Sequence, residues 1–519
     1  MYRIYFVGAF LFLLGFILVG KLAFIQFVVG DAYQKRGEQK IVEEKKIAPG
    51  RGNIYASDGA LLATSITTYK IRWDAQVPHT STFEKHKDSL AKSLAKFLQQ
   101  PYTRIIKKLQ QARQNKDQYV FIAKDMSYAD AQKIRSFPLF RLGRYKGGII
   151  VEQDIKRIHP LGNIAERTIG YEKEDADGTF FRVGIEGAFS QLLRGEEGSR
   201  IKRKIAKDKW KPISDANKKE PTEGFDVYTT IDTNVQDVVH TALLSQLEAY
   251  EADHGTAVVM EVETGAIKAI ANLGRTSKGT YWENFNYAIG EAHEPGSTFK
   301  LMGMIAALED KVIDVKTLVK TGNGKLRFYG KHEVNDVKKG GYGTISAAKV
   351  FEVSSNVGMV KIINEHYKKS PKRFVDRMYN MGLHKPLEIP INGEAIPMIP
   401  HPDNKTEWDG LDLPWMAFGY GLSLTPLQIL TFYNAVANQG KMVKPMFVSK
   451  ISDAGKHPEK TFSTQVINPS ICSESTLKKV QQMMFNVVDK KWGTAYRIKD
   501  KSLSMAGKTG TCQVDFAVF

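Results

Sequence analysis

The chain begins with a long apolar stretch that stands apart from everything after it. Residues 4–20 are seventeen uncharged, predominantly apolar residues, and an apolar run resumes after Lys21. At about 1.5 Å per residue, residues 4–29 can cross a hydrocarbon core of about 30 Å. Lys21 lies off centre, so its side chain can reach the membrane surface. We predict an uncleaved transmembrane anchor at 4–29, because Leu18-Val19-Gly20 is a poor signal-peptide cleavage site.

The predicted anchor also limits how the chain can be oriented in the membrane. Residues 1–3 are too short to form a domain, and the charges flanking the apolar run do not fix its orientation. A signal-anchor reading predicts a cytoplasmic tail at 1–3 and a single-pass protein of the cytoplasmic (inner) membrane. The bulk of the chain is then expected in the periplasm or extracytoplasmic space.

Short strand-like and helical patterns alternate up to residue 224. The turn Ser57-Asp58-Gly59 separates two runs of strand character, and residues 84–115 are polar with a helical character. Residues 183–200 predict a short amphipathic helix. A polar segment at 218–232 then switches to strand character, which indicates a domain boundary. We predict one domain at 30–224 and another at 225–519.

The second predicted domain starts with a helix and a hairpin. Helical periodicity follows residue 232, and two apolar strands at 254–273 surround the turn Thr264-Gly265. More helical patterns come after them. This order predicts an α+β fold in which helices flank an antiparallel sheet.

Composition narrows the range of functions. At roughly 150 residues per domain, 519 residues suggest two to four domains. The net charge of +18 favours an anionic partner. The sequence has no zinc-finger, RNA-binding or basic-zipper signature, so we expect no nucleic-acid partner. The densest basic run, residues 200–211, is interpreted as a solvated hairpin.

The cysteine and histidine patterns predict neither a disulfide scaffold nor a metal centre. Cys472 and Cys512 are the only cysteines, and their pairing stays open, although two separate, mostly buried thiols are preferred. No HExxH motif occurs, because His332-Glu333 lacks the second histidine. We therefore expect no metal and no cofactor.

Candidate chemistry starts at Ser297, in the stretch EAHEPGSTFKLMG. The simplest interpretation of a serine after Pro-Gly is a helix cap. Ser-x-x-Lys occurs six times in the chain, so the motif alone is weak. In a first helical turn, however, Lys300 shares the face of Ser297. Burial or a second cation can lower a lysine pKa enough for it to act as the base that activates a serine.

Two further motifs follow in a fixed order. Ser354 and Asn356 lie two residues apart in an apolar setting, where the alternative is a cap or turn. Lys-Thr-Gly occurs at 320–322, where it is interpreted as a turn, and at 508–510, where the flanking residues predict a strand. Only the second copy follows Ser354, and its glycine would let a substrate backbone approach closely.

The order of these three motifs resembles the penicillin-binding protein and serine β-lactamase superfamily. The segments AVVMEVETGAIKAIANL and FNYAIGEAHEPGSTFK are similar to penicillin-binding transpeptidase segments. RGNIYASDGALLATS and GIEGAFSQLLRG are similar to the elongated pedestal, a dimerisation-type domain, of class B members. The resemblance implies a membrane-anchored peptidoglycan D,D-transpeptidase that binds penicillin, most similar to the division-specific type. No glycosyltransferase pattern precedes residue 226, which argues against class A.

The resemblance also implies roles for the site residues. Ser297 would be the nucleophile that attacks D-Ala-D-Ala in a stem peptide, and Lys300 would be its base. Ser354 would relay a proton to the leaving amine, and Asn356 would bind the substrate amide.

The third motif would hold the substrate carboxylate. Lys508, Thr509 and Thr511 would contact that carboxylate, while Gly510 would admit the substrate backbone. The backbone N–H groups of Ser297 and Thr511 would form the oxyanion hole. The implied partners are stem peptides, β-lactams, the cytoplasmic membrane, a membrane glycan polymerase and divisome proteins.

One departure from the family concerns the C-terminus. Family members continue with another strand and helix after the third motif, whereas this sequence stops at Phe519. We therefore expect a transpeptidase domain that is truncated at its C-terminus, and the catalytic roles above describe the intact domain. The alternatives are an elongation-specific class B enzyme, a serine β-lactamase, and a non-catalytic β-lactam sensor or scaffold.

Overall fold

The structure is a computed structural model that describes residues 2–29, 42–47, 49–162, 164–175, 177–206, 209–212, 218–328, 332–406, 408–453 and 459–512. Parts of the predicted domains lie outside the described residues, including residues 30–41 and the C-terminal segment 513–519. Residue 1 of the predicted tail and residues 207–208 of the basic run also lie outside them.

Helices occur along the whole described chain. In order they are α1 (Tyr2–Phe27), α2 (Thr80–Leu98), α3 (Tyr102–Gln114), α4 (Tyr128–Arg135), α5 (Arg144–Gly147), α6 (Glu166–Ile169), α7 (Gly184–Ala188), α8 (Ser190–Arg194), α9 (Thr233–Tyr250), α10 (Tyr287–Gly290), α11 (Lys300–Glu309), α12 (Ala347–Glu352), α13 (Asn356–Tyr367), α14 (Pro371–Asn380), α15 (Asp412–Met416), α16 (Pro426–Ala437) and α17 (Glu474–Asp489). Short 3-10 turns lie at Phe140–Leu142, Gly296–Phe299 and Tyr496–Ile498.

Strands are interspersed with these helices. They are β1 (Val42–Ile47), β2 (Ile54–Tyr55), β3 (Leu61–Trp73), β4 (Val120–Met126), β5 (Ile149–Ile158), β6 (Tyr171–Glu174), β7 (Phe180–Val183), β8 (Gly198–Ala206), β9 (Lys209–Pro212), β10 (Lys218–Lys219), β11 (Asp226–Thr229), β12 (His254–Met260), β13 (Ile267–Arg275), β14 (Tyr281–Trp282), β15 (Leu318–Gly322), β16 (Lys325–Phe328), β17 (His332–Asn335), β18 (Gly343–Ser346), β19 (Met442–Val443), β20 (Val448–Ser452), β21 (Lys460–Thr461) and β22 (Val466–Asn468).

The chain divides into two compact units. The first comprises residues 1–52 and 191–225, and the second comprises residues 53–190 and 226–519. In the first unit, β8 pairs antiparallel with β1, β9 and β10. The β8–β9 pair confirms the hairpin predicted for the basic run.

Helix α1 belongs to the first unit and corresponds to the predicted anchor. Among the described residues it is the one helix that is long and apolar enough to cross a membrane, and its side chains are exposed. Exposed phenylalanines and leucines over 26 residues are unfavourable in water and favourable in lipid. The helix therefore fits a single-pass membrane protein.

The second unit contains a seven-stranded sheet that spans distant parts of the sequence. Its strand order is β21-β20-β11-β2-β3-β4, and β5 also pairs with β3. The β11–β2 pair is parallel, whereas its other pairs are antiparallel. The sheet thus crosses the predicted boundary at residue 224, and that boundary stays a prediction.

A smaller antiparallel sheet, β12-β13-β14, contains the predicted hairpin. Helix α9 packs on it because Gln236 is buried and hydrogen-bonds both the N–H and the carbonyl of Ile270 on β13. Beside it lies a helical core built around α11, α13, α14 and α17. The predicted α+β class, with helices packed on an antiparallel sheet, is confirmed.

The polar stretch at 84–115 is helical, as predicted. It is divided between two helices, α2 and α3. Gln99 takes a left-handed conformation with φ +52° at the end of α2, and Pro101 precedes α3. Proline disfavours a helical conformation for the residue before it, which accounts for the break.

Candidate active site

The sequence around Ser297 forms a tight turn that leads directly into a buried helix. Gly296 has φ +52°, Ser297 lies in the 3-10 turn Gly296–Phe299, and α11 follows at once. Every side chain from Lys300 to Leu308 is buried. The Ser297 hydroxyl caps no helix, and it has no hydrogen-bond partner within the described ranges. The helix-cap interpretation is therefore wrong.

Lys300 is completely buried at the start of α11. Its Nζ donates to the Ser354 carbonyl (2.7 Å), the Ser354 hydroxyl (3.1 Å) and Asn356 Oδ1 (2.6 Å). Burial lowers the pKa of Lys300 well below its ordinary value, and the nearby Lys508 amine lowers it further. Burial and a second cation, the two conditions that can lower a lysine pKa enough for it to act as a base, are therefore both present.

Ser354 and Asn356 lie where α12 ends and α13 begins. Ser354 has φ +56°, a left-handed conformation that costs a non-glycine residue roughly 1–2 kcal/mol. This conformation directs both its carbonyl and its hydroxyl to Lys300. Asn356 is the first residue of α13, and its side chain joins Lys300 to the Asn335 carbonyl (2.9 Å).

Ser355 and Asp336 hold this junction in place. The Ser355 hydroxyl accepts a hydrogen bond from the Gly358 N–H and so caps the start of α13. The same hydroxyl donates to both carboxylate oxygens of Asp336, each at 2.9 Å. Asp336 also accepts from Val357 N–H at 3.0 Å. Burial raises the pKa of Asp336, while its negative charge raises the pKa of Lys300. Asp336 thus fixes the geometry of the loop and counters part of the cationic repulsion.

Lys508 approaches Ser354 from another part of the chain. Its Nζ donates to the Ser354 hydroxyl (2.8 Å) and to the Thr509 carbonyl (2.9 Å). Burial lowers the pKa of Lys508 to about 7. Two lysines with depressed pKa values therefore share one serine hydroxyl, an arrangement suited to proton transfer near neutral pH.

The segment 508–511 lies against the turn that carries Ser297. A methyl group at Gly510 would be 3.0 Å from Thr298 Cγ2, and one at Gly296 would be 2.4 Å from the Thr511 carbonyl oxygen. The Thr509 hydroxyl donates to the Thr494 hydroxyl at 2.7 Å. The structure therefore joins Lys300, Ser354, Asn356 and Lys508 by hydrogen bonds, and it places Gly510 and Thr511 beside the turn that carries Ser297.

The comparisons with known proteins agree with this geometry. The penicillin binding protein transpeptidase domain matches residues 255–515, and the penicillin-binding protein dimerisation domain matches residues 46–229. The chain belongs to the penicillin-binding protein transpeptidase family. The combination of these two domains, with an apolar helix before them, is that of a class B member of the division-type group.

Curated relatives cover most of the class B chain. This chain is 27% identical over 512 residues to "Peptidoglycan D,D-transpeptidase FtsI" of Escherichia coli (strain K12). The alignment covers 98% of this chain and 80% of the relative. It is 24% identical over 510 residues to "Probable peptidoglycan D,D-transpeptidase PenA" of Neisseria gonorrhoeae, covering 96% and 79%. "Stage V sporulation protein D" of Bacillus subtilis (strain 168) is 24% identical over 527 residues, covering 98% and 76%.

Solved structures share the fold. Penicillin Binding Protein 2X from Streptococcus thermophilus superposes with a TM-score of 0.67 at 24% identity, covering 89% of this chain and 68% of that one. A peptidoglycan synthetase from Bifidobacterium adolescentis gives a TM-score of 0.62 at 22% identity, covering 92% and 87%.

Two expectations about Lys-Thr-Gly need correction. Residues 508–510 of this penicillin-binding protein are not paired as a strand within the described residues. Conversely, residues 320–322 are not a turn, because they end strand β15, which pairs with β18. Local sequence did not reveal which copy would find a strand partner.

The cysteines also depart in part from expectation. Cys472 and Cys512 are both free, so they do not pair. Cys472 is buried as predicted, whereas Cys512 is exposed and its thiol lies 3.7 Å from Glu294 Oε2. Glu294 also accepts from Gly421 N–H at 2.8 Å, so it helps to hold the loops beside the nucleophile turn.

Sequence reasoning missed three residues of the site: Asp336, Thr494 and Glu294. Each is an isolated polar residue whose site partner is at least fifteen positions away in the chain. The segment HEVNDVK contains no motif that would have selected Asp336. Its role is visible only once β17 is placed beside the start of α13.

Proposed function

We propose that this class B penicillin-binding protein is a peptidoglycan D,D-transpeptidase that forms an acyl-enzyme on Ser297. The observation that carries the proposal is the buried amine of Lys300, which follows the nucleophile turn in the chain and hydrogen-bonds Ser354. The printed names of its curated relatives support the same activity.

The acylation step uses Lys300 as the proton acceptor. In its neutral form the amine has a lone pair and two N–H donors, so it must give up one of the three hydrogen bonds that the ammonium makes. The Ser297 oxygen bonds to the carbonyl carbon of the penultimate D-Ala, and its proton passes to Lys300. The bond from that carbonyl carbon to the terminal D-Ala nitrogen then breaks.

The leaving D-Ala amine needs a proton, and Ser354 is placed to supply it. Its hydroxyl contacts both Lys300 and Lys508, so it can donate its proton and recover one from a neighbouring ammonium. In the second half-reaction an amine of another stem peptide attacks the ester carbonyl. That amine loses a proton to the same relay, and the Ser297 oxygen regains its hydrogen.

Binding groups surround this relay. Lys508, Thr509 and Thr511 hold the substrate carboxylate, and Asn356 binds the substrate amide. The N–H groups of Ser297 and Thr511 stabilise the oxyanion, each contributing about 2.7–4 kcal/mol in comparable sites. Gly510 keeps the substrate path open beside Thr298.

A fluorescent penicillin tests the nucleophile. Prompt and lasting labelling of the full chain, lost in Ser297→Ala, supports the proposal. Ser475→Ala is the matched control, because Ser475 starts another Ser-x-x-Lys and is exposed on α17. Labelling that persists in Ser297→Ala would overturn the assignment.

The same assay separates the alternatives. Rapid release of the labelled product would indicate a β-lactamase, which hydrolyses its acyl-enzyme. Lasting labelling without cross-linking of stem peptides would indicate a sensor or scaffold. Cross-linking is measured as dimeric muropeptides formed from lipid-linked precursor and a glycan polymerase.

We further propose a septal role with the N-terminus in the cytoplasm and the remainder in the extracytoplasmic space. Helix α1 then anchors the protein and is available to contact a membrane-embedded glycan polymerase and divisome proteins. Localisation of a fluorescent fusion tests this, because a septal enzyme concentrates at mid-cell and an elongation enzyme along the side wall.

A further inference from the structure

A cluster of two histidines and a carboxylate lies outside the acylation machinery. We propose that His254, Glu291 and His293 form a zinc-binding site that ties the start of β12 to the segment leading to Ser297. This site is independent of the transpeptidase assignment, and it departs from the expectation that the chain holds no metal.

The distances suit a tetrahedral metal ion. His254 Nε2 and His293 Nε2 each lie 3.2 Å from Glu291 Oε2, and the three ligand atoms lie within 4.8 Å of one another. Zinc bonds of about 2.0–2.2 Å at tetrahedral angles place neighbouring ligand atoms about 3.3–3.6 Å apart. Two imidazoles and a carboxylate are also a donor set that zinc accepts, with a fourth position left for water.

A second observation that supports a metal site is the lack of a hydrogen bond to the Glu291 carboxylate. Its Oε2 atom is buried from solvent but makes no hydrogen bond to any described residue. Both ring nitrogens are near it, yet neither has the direction needed for a hydrogen bond. A buried carboxylate oxygen without a partner is costly. A cation seated between the three ligand atoms satisfies that oxygen through coordination.

The two histidines are held by rigid neighbours. The His254 ring stacks on Tyr287, with centroids 4.2 Å apart and planes 11° apart. The His293 backbone pairs with Leu424 in both directions, at 3.1 Å and 2.9 Å. Binding therefore needs little rearrangement, which favours affinity.

The position of the cluster suggests what the metal does. His293 precedes Ser297 by four residues, and Glu291 follows α10 directly. A zinc ion would fix this short segment to β12 and so restrict movement of the nucleophile turn. The role is structural, because no ligand contacts Ser297, Lys300 or Ser354 in the described residues.

Zinc titration of the full chain in detergent, without a histidine tag, tests the site. At pH 7.5 we expect one equivalent of Zn²⁺ to bind tightly by calorimetry. His254→Ala, Glu291→Gln and His293→Ala should each weaken binding by at least about tenfold, since loss of even an outer partner costs a metal site 10–100-fold. His366→Ala, a change at an exposed histidine on α13, should bind as wild type does.

A second readout reports geometry. Co²⁺ bound in place of zinc should give the intense visible absorption of four-coordinate cobalt, absent in the His254→Ala/His293→Ala double variant. Unchanged zinc affinity in that double variant, or no zinc bound by wild type, would overturn the proposal. Penicillin labelling of each variant shows that it is folded, and Ser297→Ala should bind zinc normally.

Discussion

Lys508 Nζ donates a hydrogen bond to the Ser354 hydroxyl over 2.8 Å. Lys300, the lysine of the Ser-x-x-Lys motif, donates to the same hydroxyl at 3.1 Å. A serine hydroxyl has two acceptor lone pairs and one proton, so both lone pairs are occupied and the proton must point to a third group. Ser354 is thereby oriented as a donor, ready for a leaving group.

Removal of this hydroxyl should slow acylation without abolishing binding. Ser354→Ala should lower the acylation rate by about 10²–10⁴-fold, the range typical of general acid–base catalysis. The measurement is stopped-flow acylation by a fluorescent penicillin, with Ser475→Ala as the control. An unchanged rate would show that the proton bypasses Ser354.

Backbone strain at Ser354 gives a separate prediction about stability. Its φ of +56° is costly for alanine but free for glycine. Ser354→Gly should therefore be more stable than Ser354→Ala by about 1 kcal/mol, although both lack the hydroxyl. Denaturant unfolding of the two variants checks this, and equal stabilities would mean that the loop relaxes in the alanine variant.

The pH profile of acylation should be bell-shaped. Lys300 must be neutral to accept a proton, so the rate rises with pH through its lowered pKa. Lys508 must be charged to attract the carboxylate, and its pKa of about 7 predicts that the second-order rate falls above that pH.

Replacement of Lys508 by arginine tests whether Lys508 causes the fall in acylation rate above pH 7. Arginine stays protonated up to a pH of about 12, so the decline near pH 7 should disappear in Lys508→Arg even if the maximal rate is lower. The profile is measured with a penicillin whose own groups do not titrate in this range. A falling limb at the same pH in the variant would assign it to another group.

Two glycines with similar backbone angles should respond differently to alanine. Gly296 has φ +52°, and an added methyl group would lie 2.4 Å from the Thr511 carbonyl oxygen. Gly322 has φ +59° and open space around it. Gly296→Ala should displace the 508–511 segment and cost about 100-fold in acylation rate, as small misplacements do.

Gly322→Ala is the control for backbone strain alone. It should lose about 1 kcal/mol of stability and keep its acylation rate. Penicillin acylation and thermal unfolding of both variants provide the comparison. Equal acylation losses would mean that contact with Thr511 is unimportant.

Local sequence patterns predicted the secondary-structure elements that interactions between neighbouring residues determine. The hairpin at Thr264-Gly265 is confirmed, because the chemistry of its turn determines it. The motif order also selected residues that the fold places in contact, such as Lys300, Ser354 and Lys508. Sequence patterns failed where the partner is distant, as for Asp336 and for the segment 508–510, which pairs with no strand among the described residues.

The candidate zinc cluster shows the same limit. His254 is separated from Glu291 and His293 by more than thirty residues, so no compact metal motif appears in the sequence. Only the pairing of β12 and the return of the chain through α10 place the three side chains together.

The strand order of the large sheet has a consequence for biosynthesis. Ile54 pairs with Val227, and Val227 pairs with Ile451. Translation delivers these partners in sequence order, so the β2 edge that pairs with β11 stays open while more than 170 further residues are made. The sheet is complete only after Thr461 of β21 has been made. Open strand edges invite association with other chains. A nascent chain stalled before residue 451 should thus depend on chaperones far more than the finished protein does.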